Sequence, residues 1–241
     1  MTRLSTSSLL AVIFSCTIIS CQPDFTPEIV YIPGGEFVMG CDSMGDDDES
    51  PAHCLTVQPF YLGLFEVTQQ EWVRIMRYNP SVFKGDDRPV ENVSWEETQQ
   101  FIDKLNRITG ERFRLPTEAE WEFAAKCGNS MNNFDYSTNG WWLKNSNEKT
   151  HPVGVLKPNH FGLYDMVGNV HEWCAEPYDS LSYKKVVGII SNDIKSTTDE
   201  VVARGGNWAS DRHYIRVTNR NHAPKNYKSP TVGFRVAMDA E

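Results

Sequence analysis

His171-Glu172-Trp173-Cys174-Ala175 opens as a zinc-protease helix opens, with a histidine followed at once by a glutamate. That chemistry needs a second histidine one helical turn on, so that two imidazoles hold Zn²⁺ while the glutamate acts as base. Ala175 stands at that place, and the motif fails. The six histidines, His53, His151, His160, His171, His213 and His222, show no metal-ligand spacing along the chain. An iron site of two histidines and a carboxylate, assembled only in three dimensions, stays open. Asp42 with Asp46-Asp47-Asp48-Glu49 forms a dense acidic cluster. It lacks the alternate-position oxygens of a calcium hand and reads as a solvated loop.

The elements that must carry such residues are short. Thr68…Glu71, Ser94…Glu97 and Thr117…Glu120 each place a hydroxyl N-cap three residues before a glutamate, the reciprocal capping signature. The helices that follow put Trp72, Ile75 and Met76 on one face, then Phe101, Leu105 and Ile108, then Trp121, Ala124 and Ala125. These faces are core. Gly110 stops the second helix and Gly128 the third. Strands are expected at Ile29–Ile32, Phe37–Met39, Thr56–Val57 with Phe60–Leu62, Val201–Arg204 and Gly233–Ala237. Residues 129–162 read as loop, and 179–200 as a surface insertion. Seven tryptophans and 12% aromatics in a hydrophilic chain suggest loops pinned by large rings.

The first twenty residues read as a targeting segment, with Arg3 in a short positive region before the apolar run Leu9–Phe14. Ile18-Ile19-Ser20-Cys21 resembles a bacterial lipobox, which would make Cys21 the lipidated N-terminus and residues 21–28 a tether. An ordinary signal peptide or an uncleaved anchor is the alternative. Gln22, rather than aspartate, after the cysteine favours the outer membrane. The remaining residues, 29–239, are long enough for one domain with its own core. The formal charge of −9 and the absence of a basic patch disfavour binding to nucleic acid.

An exported chain meets an oxidising compartment, where disulfides are permitted. Cys41 and Cys54 flank the acidic turn and make the best local pair, leaving Cys127 with Cys174. Three connectivities are possible for these four cysteines, and free buried thiols are the alternative to all of them.

Four blocks in order carry a resemblance. They are Ile32-Pro33-Gly34-Gly35-Glu36-Phe37-Val38-Met39-Gly40, Arg114-Leu115-Pro116-Thr117-Glu118-Ala119-Glu120-Trp121-Glu122, the run from Phe161 to Cys174 containing Val167-Gly168-Asn169-Val170-His171-Glu172-Trp173, and Arg204-Gly205-Gly206-Asn207-Trp208 with Gly233-Phe234-Arg235. Together they resemble the formylglycine-generating enzyme family, also called the sulfatase-modifying-factor family, from about Ile29 to Met238. The resemblance implies a loop-rich α+β fold, related to C-type lectins, with a small antiparallel sheet and a few helices.

The resemblance also implies sites. Copper-dependent members hold Cu(I) between two cysteines that follow the Gly-Gly turn. Here Ser210 and Ile215 fall at those places, and no cysteine follows Cys174. Cu(I) is soft and prefers thiolate, so no copper is expected and cysteine oxidation is not the expected activity. A structural calcium is implied at Asp165, the carbonyls of Gly168 and Val170, and Glu172; the alternative is that the two carboxylates merely cap a turn. A second calcium would fall near Asn145, without a full ligand set. Arg204 and Arg235 sit inside family blocks, where arginines tie the fold together through carboxylates. Trp208, Ser210, Asp211 and Arg212 would line the former catalytic groove, facing a peptide, envelope protein or glycan, or else form ordinary surface. The expectation is an envelope-anchored, non-catalytic binding or scaffold module, with gliding or secretion machinery as a concrete variant. The alternative is a divergent oxidoreductase of the family with altered metal chemistry.

Overall fold

The computed structural model describes residues 26–43, 45–128, 136–188 and 198–240. The targeting segment, Cys16 and Cys21 lie outside the described residues. In chain order the elements are β1 (Ile29–Ile32), β2 (Gly35–Met39), β3 (His53–Val57), β4 (Phe60–Gly63), α1 (Gln69–Met76) and α2 (Trp95–Thr109). They continue with β5 (Phe113–Arg114), α3 (Glu118–Ala125), α4 (Tyr136–Asn139), β6 (Gly140–Trp141), β7 (Val167–Gly168) and β8 (His171–Pro177). The last are α5 (Ser182–Val186), β9 (Glu200–Arg204), β10 (Asn221–Pro224), β11 (Val232–Gly233) and β12 (Ala237–Asp239). The fold is the expected α+β type, rich in loops.

Two four-stranded sheets carry the domain, ordered β1-β4-β12-β5 and β10-β9-β8-β11. The first is antiparallel throughout, with Ile32 opposite Phe60 and Ala237 opposite Leu62. In the second, β8 pairs antiparallel with β9 through Glu172 and Arg204, and parallel with β11. The expected strand Gly233–Ala237 is broken in two: β11 and β12 belong to different sheets. Between them Phe234 and Val236 accept backbone bonds from Val67 and Gly63 at 2.9 and 2.7 Å.

All three capping boxes form. Thr68, Ser94 and Thr117 each accept from the amide of the glutamate three residues on, and each glutamate accepts from its cap's backbone N–H. Gly110 ends α2 in the left-handed conformation, which costs glycine little. Trp72 stacks on Phe101 at 5.4 Å, with Phe234 edge-on to both, and this trio centres the core beneath α1 and α2. A second cluster surrounds Trp121, Phe123 and Met166, against β2, β4 and β9.

The cysteine pairing is corrected. None of the four described cysteines is in a disulfide. The β2–β3 register sets Cys54 opposite Val38, while the chain leaves the hairpin at Gly40 and carries the Cys41 amide to the Glu49 carbonyl. Cys127 and Cys174 are buried thiols. The acidic cluster is not a simple solvated loop either. Its Glu49 is buried and takes both ends of the Arg216 guanidinium at 2.7 and 2.8 Å.

Candidate functional site

Buried ion pairs fix the loops that build the site. Arg204, at the end of β9, reaches α3 and pairs with Glu118 at 3.0 Å and with Glu122. Arg220 grips the same Glu118 at 2.7 Å. Burial alone would raise the Glu118 carboxyl, but Arg220 and Arg204 overcome it and hold the group below the usual range. Arg235 pairs through two nitrogens with both oxygens of Glu172, each at 2.6 Å, and donates to the carbonyls of Gly63 and Tyr164. The expectation that Arg204 and Arg235 tie the fold together through carboxylates is met.

Of the expected calcium set, Glu172 is paired with an arginine and Asp165 has one oxygen engaged. Glu172 gives one oxygen to Arg235 and shares the other between Arg235 and the Trp121 indole N–H at 2.7 Å. Three donated bonds therefore converge on this one carboxylate. Asp165 accepts from the Gly154 amide at 2.7 Å through one oxygen, and its other oxygen is buried without a protein partner. Glu66, which the sequence did not point to, faces the same space. It accepts from Asn169 and from the Val170 amide. Of the three carboxylates only Glu172 bonds Arg235; Glu66 and Asp165 feel its charge without a direct bond. Burial, then Asp165 and Glu172, push the Glu66 carboxyl well up, while burial above all lifts Asp165 to about 6. Among the described residues no group of three or more His, Cys, Asp or Glu side chains is placed to hold a metal. Gly168 keeps its role in the turn: at φ +80° a Cβ would sit 2.1 Å from the Trp141 carbonyl oxygen. Asn145 caps the Trp142 turn, accepting from its amide at 2.7 Å.

The positions of the copper thiolates are filled in another way. Ser210 is buried, and its hydroxyl accepts from the Asn207 amide at 3.1 Å, closing the turn after Gly205-Gly206. Ile215 is fully buried in the second core cluster, and a Cβ on Gly206 would meet its Cγ2 at 2.8 Å. One position is a turn lock and the other is core. These residues do not fit Cu(I), which needs soft donors.

A groove does lie beside them. Its two cavities, of about 360 and 370 Å³, share His171, Asn207, Asn221 and Thr231. Of the four expected groove residues, Ser210 and Asp211 line it. Trp208 is held elsewhere, with its indole N–H on the Pro230 carbonyl and its ring edge-on to Phe83. Arg212 is exposed and is not among the walls. His171, missed as a wall in the sequence, belongs to both cavities, and burial pulls its imidazole down to about 4 despite a bond to the Arg204 backbone.

The fold and site define a class: a loop-rich α+β domain, clamped by buried arginine–carboxylate pairs, with a groove around the turn that follows two glycines. Residues 17–240 match the family model described as the Sulfatase-modifying factor enzyme 1-like domain, and the chain belongs to that family. It is 29% identical to the protein named Chaperone protein LppX of Paenibacillus barcinonensis, over 87% of this chain and 88% of that one. It is 28% identical to the Inactive C-alpha-formylglycine-generating enzyme 2 of Mus musculus, over 96% and 92% of the two chains. Among solved structures, Treponema denticola variable protein 1 superposes with a TM-score of 0.77 at 27% identity, covering 88% of this chain and 95% of that one.

Proposed function

We propose that this chain is a non-catalytic member of its family that works as a binding or scaffold module at the cell envelope, tethered by lipid on Cys21. The observation that carries the first half is the fate of the copper positions: the Ser210 hydroxyl closes a turn and Ile215 is core. Relatives named as an inactive enzyme and as a chaperone support the same reading. The groove then serves recognition without bond making, toward a protein, peptide or glycan of the envelope. Machinery for gliding or secretion is one setting that suits such a module.

The tether reading rests on the Ile18-Ile19-Ser20-Cys21 sequence. Among the described residues no helix is long and apolar enough to cross a membrane. Outer-membrane sorting follows from Gln22 after the cysteine.

The test incubates the purified full chain with Cu(I), oxygen and a sulfatase-type cysteine peptide, scored by mass. No aldehyde above a no-enzyme blank is the expected result. Aldehyde formation by the unmodified protein overturns the non-catalytic reading.

A further inference from the structure

We infer that the groove shared by His171, Asn207, Asn221 and Thr231 binds a neutral oligosaccharide, laid across the exposed rings of Tyr214 and Tyr227. The inference rests on the binding-module reading and names the ligand class of the same groove.

The walls decide against an anion. Among the described residues no lysine or arginine lines either cavity, while Asp211 lines one and Glu200, beside His222, the other; carboxylates repel an anion and accept from the hydroxyls of a neutral sugar. What does line them is rich in neutral groups that both donate and accept. Asn207, Asn219 and Asn221 are carboxamides and Thr231 adds a hydroxyl; Asn207 already accepts from the Ala209 amide, Asn219 donates to Asp46 and Thr231 shares a bond with Ser229, which leaves the rest of their donors and acceptors for a ligand. Sugar hydroxyls match such a surface group by group, because each also donates and accepts.

His171 supplies the second, independent observation. It is only 6% exposed and is a wall of both cavities, and its Nδ1 has no partner in the protein. Its other ring nitrogen donates to the Arg204 backbone. That tautomer leaves Nδ1 as an acceptor. A buried acceptor without a donor calls for one, and a ligand hydroxyl supplies it.

Aromatic faces complete the chemistry. Tyr214 lines one cavity at 52% exposure and Tyr227 the other at 43%. One exposed ring in each of two cavities that share four walls offers two platforms for the C–H faces of sugar rings. An extended peptide is served less well. The sheet edge beside the groove, β10, is four residues long and ends at Pro224, which has no N–H to offer an added strand.

The experiment titrates the full chain, purified in detergent, with neutral linear hexasaccharides: maltohexaose, cellohexaose, xylohexaose, mannohexaose and chitohexaose. Calorimetry is expected to show binding of at least one. Tyr214→Ala and Tyr227→Ala, both at exposed positions and checked for unchanged melting, should each weaken it tenfold or more. His171→Phe should do the same; if that variant does not fold, the tyrosine variants still decide. Binding that ignores both tyrosines, or no binding by any hexasaccharide, overturns the inference. A photoreactive residue placed at Tyr214 in intact envelopes then separates the two readings. Crosslinking to a protein with no sugar bound sinks the oligosaccharide and leaves the module standing. Neither crosslink nor sugar sinks both.

Discussion

Glu172 and Arg235, 63 residues apart in the chain, meet through two 2.6 Å bonds with both side chains buried. The pair joins β8 to the segment between β11 and β12, and through Arg235 to the Gly63 and Tyr164 carbonyls. Removing one partner leaves an uncompensated buried charge, at a cost of about 3–5 kcal/mol. Arg235→Met and Glu172→Gln should each approach that loss in denaturant unfolding. The double variant Glu172→Met with Arg235→Met should recover part of it. Single variants that unfold as the parent does would show that the pair contributes nothing.

Asp165 should give the stability of the domain an unusual slope. Its carboxyl is raised to about 6 in the folded state, so between the ordinary value of 3.8 and about 6 the native form holds more protons than the unfolded one. Its contribution is therefore fully present below about 3.8 and lost as pH rises through 6. The swing is on the order of 2–3 kcal/mol, at about 1.4 kcal/mol per unit. Asp165→Asn removes the titration, so its melting temperature should exceed the parent's at pH 7.5 and converge on it near pH 4. Equal melting at both pH values would refute this. Glu118 works with the opposite sign: its carboxyl is depressed, so its stabilisation is lost as pH falls below the usual carboxylate range.

Chelation bears on Glu172 directly. Its oxygens are engaged by Arg235 and Trp121, so EDTA should leave the melting temperature of metal-stripped and calcium-loaded protein within a degree of one another. A fall of several degrees, abolished by Asp165→Ala, would mean that calcium opens the Glu172–Arg235 pair to enter.

Restoring thiols should not restore copper. In Ser210→Cys with Ile215→Cys, the second thiol falls inside the core that Ile215 fills, and the trimmed side chain should cost on the order of 1–3 kcal/mol. The double variant is expected to melt lower and to retain no Cu(I) after desalting. Stoichiometric copper retention would show that the turn can still swing open.

Cys21→Ser should release the protein into the soluble fraction or block its processing, as read by fractionation and mature size. Unchanged membrane partition at the normal size would remove the lipid anchor from the account.

Local chemistry was legible in the sequence, and long-range pairing was not. The caps at Thr68, Ser94 and Thr117 are written within four residues, and all three form. β8 was missed because alternation fails there: His171, Glu172, Trp173 and Cys174 are all buried, and two of them are polar. Glu172 is tolerated in that place by an arginine 63 residues away, a partner no window along the chain can see. Asp211 and Ser210 were found by their place after the glycine turn. Asn219, Asn221 and Thr231 are neutral residues of unremarkable type and carried no signal. Trp208 drew attention as an aromatic beside polar residues, yet its indole is anchored on Pro230.

The second sheet ends on β11, whose two residues are buried against Val90, and on β10, four residues long and closing on Pro224. Exposed strand edges are templates for chain-to-chain pairing, and short edges with proline are poor ones. Copies of the domain brought close together are therefore poor seeds for fibrils.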